Sequence, residues 1–426
     1  MKKNLYRTVS IKKVDEEKLL RSLDGGKRIV VGVDVAKTDF VAGLAKEDGE
    51  IDLTVKWEHP CETREFVELL KRMKQKLGIA FDVAMEPSGT YGDSLRYELG
   101  KEGFTVFLVS PKRSHDAAEV FDGVPSWHDA KSASIITQLH LAGRSKVWEN
   151  ELERERELKS KLNVMKMYDE QFHQDWNRLE ATMARYWPEV MFLMGYDSVA
   201  FLSLLMTYGG PEGISAAGEE AKKYMKVIGG HFLSDEKVEQ VIASTKGSLG
   251  VPMLKGEKEE LQELAGDMLR AQRAAHEARC AVERLSESDP VTREVGKVVG
   301  KTTAAVIVTS VGDPTRYDSA EAFQKGMGLN LKEKSSGTHK GVLKITKRGP
   351  SAARQYMYLA VLRLIRTDEI IRAWYIKKVK RDGGKKGKAL TAVMRKLAKA
   401  LWHVAQGAVF DASKLFDVRR LDLERA

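Results

Sequence analysis

The sequence has few cysteines and no long apolar run. Its 426 residues include only two cysteines, Cys61 and Cys280, which lie far apart and outside any Cys-x-x-Cys pair. A disulfide framework and a cysteine-based zinc site are therefore not expected. No run of about 18 apolar residues is present, and the first residues lack the apolar core of a signal peptide. We therefore expect a cytoplasmic protein without membrane-spanning segments.

Charge, by contrast, is abundant and unevenly distributed. Charged residues make up 31% of the chain and hydrophobic residues 42%, which is typical of folded domains with a heavily charged surface. The net charge is +10, and residues 331–426 carry 24 Lys and Arg against 8 Asp and Glu. This basic segment fits a phosphate backbone, although a solvated basic face accounts for the charge equally well.

The length predicts two or three domains, and the residue patterns divide the chain further. Two long charged helices, near 150–186 and 255–287, are separated by Gly-rich connectors and predict an all-α coiled-coil region, either antiparallel or between chains. Its expected role is dimerisation or spacing. The predicted parts are an N-terminal extension, an α/β domain, the coiled-coil region, a basic and mostly helical domain and a tail, at residues 1–25, 26–146, 147–290, 291–410 and 411–426.

Apolar runs and helical spacing predict the order β-β-β-α-β-α-β-α in the α/β domain. The predicted strands are 28–34, 38–45, 51–57, 79–85 and 105–109, and the predicted helices are 62–77, 91–102 and 128–143. Three consecutive strands followed by alternating helices and strands are typical of the ribonuclease-H-like fold. A doubly wound nucleotide-binding domain would show uniform β-α-β units instead.

Three acidic residues occupy the ends of these predicted elements. Asp34 ends the first strand, Glu86 follows the fourth, and Asp129 opens the helix after the fifth. Strands one and four are neighbours in a ribonuclease-H-like sheet, so the first two acids would face each other with the third nearby. Each acid alone is more often a strand-end or N-cap carboxylate. Together they predict ligands for Mg²⁺ or Mn²⁺ ions that hold a scissile phosphate.

The segments around these acids resemble the acidic motifs of the DEDD transposases, insertion-sequence recombinases related to the Piv/MooV DNA invertases. The matching segments are Val31-Gly-Val-Asp34-Val-Ala-Lys37, Met85-Glu86-Pro-Ser-Gly89-Thr-Tyr-Gly92 and Ser126-Trp-His-Asp129-Ala-Lys-Ser132-Ala133. The last family motif is Asp-x-x-Asp-Ala, which places Ser132 where the second acid stands. An alternative register pairs Ser126 with Asp129. Either register lacks one acid, and a neutral hydroxyl is a poor Mg²⁺ ligand.

The C-terminal region resembles the second conserved domain of the same family, a mostly α transposase domain. The matching elements are Val299-Gly300, Gly312-Asp313-Pro314, Gly326-x-Gly328-Leu329, Ser335-Ser336-Gly337 and Lys347-Arg348-Gly349. The resemblance implies that Ser336 is the nucleophile, with Ser335 as the neighbour that it is easily confused with. From the residues alone, Ser-Ser-Gly is more often a flexible loop. The predicted nucleic-acid contacts nearby are Lys332, Lys334, Lys340, Lys344, Lys347, Arg348 and Arg354.

The resemblance implies a RuvC-like catalytic domain and a DNA recombinase that uses Mg²⁺ or Mn²⁺ and forms a covalent phosphoserine intermediate. It also implies donor and target DNA, a non-coding bridge RNA and a homo-oligomer, dimer or tetramer, as partners. The alternatives are a structure-specific metal-dependent nuclease with water as nucleophile, or a catalytically impaired nucleic-acid-binding relative, because Ser132 replaces an acid. An ATP-using member of the actin and sugar-kinase group ranks last, since the Gly-rich phosphate motifs are missing.

One segment imitates a nucleotide-binding loop. Residues 296–302 read Gly-Lys-Val-Val-Gly-Lys-Thr, but the glycines are four apart instead of five, and no buried strand precedes them. A helix-hairpin-helix-like turn that presents backbone amides to DNA fits this segment better than a triphosphate site.

Overall fold

The chain folds into two compact units, residues 1–151 and 152–426. The computed structural model describes residues 7–87, 89–121, 123–124, 128–149, 153–333, 341 and 343–421. The predicted boundary near residue 290, between the coiled-coil region and the basic domain, lies inside the second unit. None of the helices in these described ranges contains an apolar stretch of membrane-spanning length.

A seven-stranded mixed sheet with helices packed on it makes up the first unit. Its strands are β1 (Thr8–Ser10), β2 (Arg28–Val35), β3 (Asp39–Lys46), β4 (Ile51–Glu58), β5 (Ala80–Met85), β6 (Thr105–Val109) and β7 (Ser145–Val147). Its helices are α1 (Glu16–Leu23), α2 (Thr63–Leu77), α3 (Asp93–Lys101), α4 (Pro111–Asp116) and α5 (Asp129–Leu141). The strand order is β1-β4-β3-β2-β5-β6-β7.

The five predicted strands are confirmed, with bounds within one residue of the prediction. β2, β3 and β4 are antiparallel neighbours, while β5 runs parallel to both β2 and β6. The predicted first and fourth strands, β2 and β5, therefore do lie side by side. This mixed α/β sheet is compatible with the ribonuclease-H-like fold predicted from the sequence.

The ends of the sheet contain two strands that the sequence patterns missed. β1 pairs with β4 in parallel, and β7 pairs with β6 antiparallel. Each has only three residues, which is too short to show a two-residue period. Residues 8–23 of the predicted N-terminal extension are thus part of this unit, and Leu19 and Leu23 of α1 are buried in its core.

A glycine allows α5 to lie directly on the sheet. A Cβ built on Gly32 of β2 would lie 2.7 Å from the backbone nitrogen of Thr137 and closer still to the carbonyl oxygen of Ala133. Backbone atoms cannot move aside as a flexible side chain can, so only glycine permits this approach. The close approach matters because β2 carries Asp34 and α5 begins at Asp129.

We expect Gly32→Ala to destabilise the first unit by about 1–3 kcal/mol or more, because the new methyl group would push α5 off the sheet. Gly43, which pairs with Gly32 across β2 and β3, is the matched control. A Cβ at position 43 would lie 3.3 Å from the end of the Ile51 side chain and 3.8 Å from the backbone of Ala133, which is an ordinary van der Waals contact. Urea unfolding of both variants checks the prediction, and equal losses at the two positions would contradict it.

Helices make up most of the second unit. They are α6 (Glu153–Tyr186), α7 (Val199–Tyr208), α8 (Pro211–Ala217), α9 (Glu219–Gly229), α10 (Asp235–Ser244), α11 (Lys255–Glu287), α12 (Pro290–Val299), α13 (Lys301–Val311), α14 (Ala320–Gly326), α15 (Ser351–Thr367), α16 (Glu369–Arg381), α17 (Lys386–Ala405) and α18 (Ala412–Leu415). The short strands β8 (Leu331–Lys332) and β9 (Lys344–Ile345) form an antiparallel pair.

The two predicted long helices, α6 and α11, are confirmed and run antiparallel within the chain. Tyr186 at the end of α6 donates a hydrogen bond to Glu257 at the start of α11, at 2.6 Å. At the other end, Arg154 donates to the carbonyl oxygen of Leu285, at 2.8 Å. Buried alanines along α11 allow the two helices to pack closely. A coiled-coil role in dimerisation stays a prediction.

Helices α12 to α17 surround a second apolar core, in which Phe323, Met357 and Leu401 are buried. Trp374 and Trp402 pack against this core. The side chain of Asp368 caps α16, which lies between α15 and α17, by accepting a hydrogen bond from the backbone of Ile371, at 2.9 Å.

Candidate active site and nucleic-acid interface

Asp34 and Glu86 lie at the same edge of the sheet. Asp34 is the penultimate residue of β2, and Glu86 directly follows β5. Val33 and Met85 are register partners in these parallel strands, so the next residue on each strand is one of the two acids. The carboxyl ends of parallel neighbours meet at one edge, and both side chains are half-buried there.

Asp129 enters the site from α5. It is the first residue of that helix, and His128 before it is the N-cap, whose Nδ1 accepts a hydrogen bond from the backbone of Lys131, at 3.2 Å. Asp129 is exposed, whereas Ser132, three residues later and on the same face of the helix, is buried. His128 thus takes part in ordering the start of α5.

The charges of the three acids interact. Burial, followed by the negative charges of Asp129 and Glu86, raises the pKa of Asp34 to about 6. Two hydrogen bonds, from the backbone of Val35 and from the hydroxyl of Ser132, oppose this rise by stabilising the carboxylate. Asp34 is therefore an anion held where negative charge is already concentrated.

Ser132 lies near Asp34, at the position where the family pattern has its second acid. Its hydroxyl lowers the pKa of Asp34 by stabilising the carboxylate, and it lies 3.4 Å from the carbonyl oxygen of His128, to which it can also donate. Ser132 therefore favours the charged form of Asp34.

Within the described ranges, no three His, Cys, Asp or Glu side chains come close enough together to form a ready metal-binding group. Asp34, Glu86 and Asp129 interact through their charges over a wider separation. Metal ligation by these three residues therefore stays a prediction. Ser126, the alternative position for the missing acid, lies outside the described residues.

Sequence reasoning also missed Lys131, because a lysine in the first turn of a helix is usually exposed. Its side chain is 2% exposed, and its ammonium group donates a hydrogen bond to the carbonyl oxygen of Val124. This contact attaches the connection before α5 to the helix that carries Asp129 and Ser132. No pattern in the sequence distinguishes such a lysine from a surface lysine.

In the second unit, two of the glycine motifs noted in the sequence interlock. A Cβ on Gly349 would lie 2.8 Å from the backbone nitrogen of Gly328, and one on Gly328 would lie 2.9 Å from the backbone of Arg348. Between them, Lys347 adopts a left-handed φ of +56° and donates a backbone hydrogen bond to Gly328, at 3.0 Å. Non-glycine residues adopt this conformation at a cost of about 1–2 kcal/mol. The turn therefore holds Lys347 and Arg348 exposed in one arrangement.

The predicted nucleic-acid contacts divide into two kinds. Lys332 and Lys344 are exposed and directly opposite each other in the β8–β9 pair, where like charges repel and an anion would relieve the repulsion. Arg354 is half-buried and donates to the carbonyl oxygen of Gly349, at 2.7 Å, so it supports the turn. Lys334, Ser335, Ser336 and Lys340 lie outside the described residues.

Residues 296–302, which resemble a nucleotide-binding loop in sequence, form the end of one helix and the start of the next, with a glycine between the two helices. Gly300, with φ +92°, joins α12 to α13, an arrangement compatible with the helix-hairpin-helix-like turn that the sequence favours over a triphosphate loop. Lys301 pairs with Glu287 at 2.7 Å, and the hydroxyl of Thr302 donates to Glu283 at 2.5 Å. The lysine and the threonine that would bind a phosphate in a nucleotide-binding loop are therefore already paired with carboxylates.

Comparisons with known proteins agree with this arrangement. Residues 31–188, which include all three acids, match the family model of the IS110 DEDD transposases, described as "Transposase". Residues 296–376 match the "Transposase IS116/IS110/IS902 family". The chain is also 25% identical over 310 residues to the "Insertion element IS110 uncharacterized 43.6 kDa protein" of Streptomyces coelicolor, covering 67% of this chain and 72% of that protein.

The acid-bearing sheet edge and the two family matches define a transposase, an enzyme that acts on DNA. More specifically, the chain belongs to the IS110 family of DEDD transposases.

Proposed function

We propose that this protein is an RNA-guided DNA recombinase that cuts and rejoins DNA through a divalent-metal site and a covalent phosphoserine intermediate. The observation that carries the proposal is the concentration of negative charge around Asp34, at the sheet edge matched by the DEDD family model. The guide is a non-coding bridge RNA that pairs with donor and target DNA, and the working form is a homo-oligomer. These finer features rest on the resemblance described above.

The carboxylates of Asp34, Glu86 and Asp129 fit a divalent metal by their donor chemistry. Carboxylate oxygens are the hard ligands that Mg²⁺ and Mn²⁺ prefer, and a cation would relieve the repulsion that raises the pKa of Asp34. When bound, Mg²⁺ or Mn²⁺ would neutralise charge on the scissile phosphate and on the leaving oxygen. The Ser132 hydroxyl favours the charged form of Asp34, which is the form that binds a cation.

In the proposed reaction the Ser336 oxygen attacks the scissile phosphorus in line and loses its proton. The bond from phosphorus to the leaving deoxyribose oxygen breaks, and that oxygen takes up a proton. One phosphodiester is exchanged for another, so rejoining by the reverse step needs no ATP. Lys332, Lys344, Lys347 and Arg348 supply positive charge to the DNA or RNA backbone.

The test is to incubate the protein with its element's DNA, its flanking RNA and Mg²⁺, and to look for protein-linked DNA after denaturation. Linked DNA supports the proposal. Free nicked ends without linkage would support a metal-dependent nuclease that uses water, and binding without cutting would support a catalytically impaired nucleic-acid-binding relative.

Changing Ser132 to Asp tests the register of the third acidic motif. We expect unchanged or higher DNA cutting, because the added carboxylate restores the family pattern next to Asp34. In the metal-free protein we expect a loss of roughly 1–3 kcal/mol in the free energy of unfolding. The substitution replaces a neutral hydroxyl that stabilises the Asp34 carboxylate with a second buried negative charge. Thermal unfolding with and without Mg²⁺, together with a nicking assay, measures both effects.

Ser132→Ala is the matched control, since it removes the hydrogen bond to Asp34 without adding charge. It should destabilise the protein by about 1 kcal/mol and should not increase its response to Mg²⁺. Loss of cutting in Ser132→Asp would show that the register is wrong and would point to position 126 instead.

A further inference from the structure

The C-terminal tail, residues 411–421, covers one side of a cavity in the second unit. Residues 411–421 return across α16 and α17, and the Phe416 ring is buried with its centroid 4.6 Å from that of Trp374. The cavity between the tail and the two helices has a volume of about 310 Å³. Most of its lining lies beyond residue 376, where the second family match ends.

Cations dominate this cavity. Five basic side chains line it against one acid, Asp417, which pairs with Arg420 at 3.1 Å. Lys378 is paired with Asp382 at 2.7 Å, and Arg381 lies 3.8 Å from the same carboxylate. The side chains of Arg381 and Arg420 are 68% and 80% exposed, so a ligand can reach both. The basic lining residues are Lys377, Lys378, Arg381, Lys396 and Arg420.

Two of these cations have no acidic partner among the described residues. The ammonium group of Lys396 donates to the carbonyl oxygen of Leu415 at 2.7 Å, and that of Lys377 donates to the carbonyl oxygen of Arg420. Lys396 also lies over both aromatic rings, 5.1 Å from the centroid of Phe416 and 5.9 Å from that of Trp374. Burial and the charge of nearby Lys399 lower the pKa of Lys396, as expected where positive charge is in excess.

We propose that this cavity binds an unpaired nucleotide of a nucleic-acid strand, with its phosphate on the cations and its sugar and base against Trp374. A duplex presents its phosphates on a convex surface and cannot place a whole nucleotide in a concave site. A cavity of this size is at the lower end of the range for small-molecule sites, which suits one nucleotide. The inference rests on the protein acting on nucleic acid, and it is independent of the acidic site.

The test compares two double variants of the full-length protein by fluorescence anisotropy. Arg381→Gln/Arg420→Gln removes two exposed arginines of the cavity. Lys414→Gln/Arg419→Gln removes the same charge from exposed residues of the same C-terminal segment that do not line the cavity. The probes are labelled single strands of about 12 nucleotides, as DNA and as RNA, and the corresponding duplex.

For the cavity variant we expect the affinity for single strands to fall about tenfold, because one to two charged hydrogen bonds to the phosphate are lost. The slope of log affinity against log salt should decrease by about 1.4, for two lost phosphate contacts. The control variant and the duplex probe should change much less. The DNA and RNA arms identify which strand the site prefers.

Equal losses in the two variants, or equal losses for single strand and duplex, would overturn the proposal, because either would indicate general charge attraction only. DNA cutting by the native protein is a separate measurement, so failure of the proposed recombinase and failure of the nucleotide site are distinguishable.

Discussion

Replacing Asp34 with Asn is expected to abolish DNA cutting and, at the same time, to raise the melting temperature of the metal-free protein. Cutting should fall at least about a hundredfold, since even the loss of an outer partner of a metal site commonly costs tenfold to a hundredfold. Stability should rise because the neutral amide removes a buried negative charge that Asp129 and Glu86 repel. An amide oxygen still accepts a hydrogen bond from Val35 or Ser132.

The sign of the pH dependence follows from the pKa of Asp34, which is raised from 3.8 to about 6 in the folded protein. Between these values the folded protein binds the proton more tightly than the unfolded chain does, so stability of the native sequence rises as the pH falls. The loss of stability caused by the charged Asp34 carboxylate is complete above about pH 6 and disappears towards pH 4. The stabilisation of Asp34→Asn, roughly 1–2 kcal/mol after solvent screening, should therefore be present at pH 7–8 and vanish as the pH is lowered.

Thermal unfolding across this pH range, with and without Mg²⁺ or Mn²⁺, measures the effect apart from catalysis. The native protein should gain stability from the metal and Asp34→Asn should not. Asp48→Asn is the control, because Asp48 is exposed and caps the turn before β4 by accepting from the backbone of Glu50, at 2.9 Å. Retained cutting in Asp34→Asn, or an equal metal response in both proteins, would refute the metal site.

Replacing Ser336 with Ala is expected to reduce protein–DNA linkage by at least about a thousandfold, because the variant lacks the oxygen that would form the bond to phosphorus. The fold should not change, which circular dichroism and the melting temperature check. Linkage is measured by denaturing electrophoresis of labelled DNA after incubation with RNA and Mg²⁺.

Ser335→Ala is the matched control and should retain linkage. Linkage that survives in Ser336→Ala but not in Ser335→Ala would move the nucleophile by one residue. Linkage that survives in both would remove this segment from the chemistry. Nicking without linkage in the native protein would instead identify water as the nucleophile and the protein as a nuclease.

The first unit illustrates what periodicity predicts well. Buried strands such as Arg28–Val35 are continuous apolar runs, and helices such as Thr63–Leu77 repeat their apolar residues at helical spacing. Both patterns involve residues that are close together in the sequence, so they can be recognised without knowledge of the fold. The order of these elements then predicted that Asp34 and Glu86 lie side by side, since neighbouring parallel strands end at one edge.

The features that sequence reasoning missed depend on contacts between distant segments. Ser132 lowers the pKa of Asp34 across 98 positions of sequence because α5 packs on β2 at Gly32. The burial of Lys131 depends on the path of the preceding connection, which carries Val124. The basic cavity exists only because the tail that carries Phe416 returns to α16 and α17.

By itself, the sequence determined the kinds and order of the elements, the three acids at the ends of those elements, the concentration of basic charge in the C-terminal quarter and the family. These depend on residue type and on spacing along the chain. Only the tertiary structure decided which hydroxyl meets Asp34, which lysines are buried and which cations surround a cavity. Such contacts form only where two distant segments pack together, and the distance between their backbones depends on the residues of both segments.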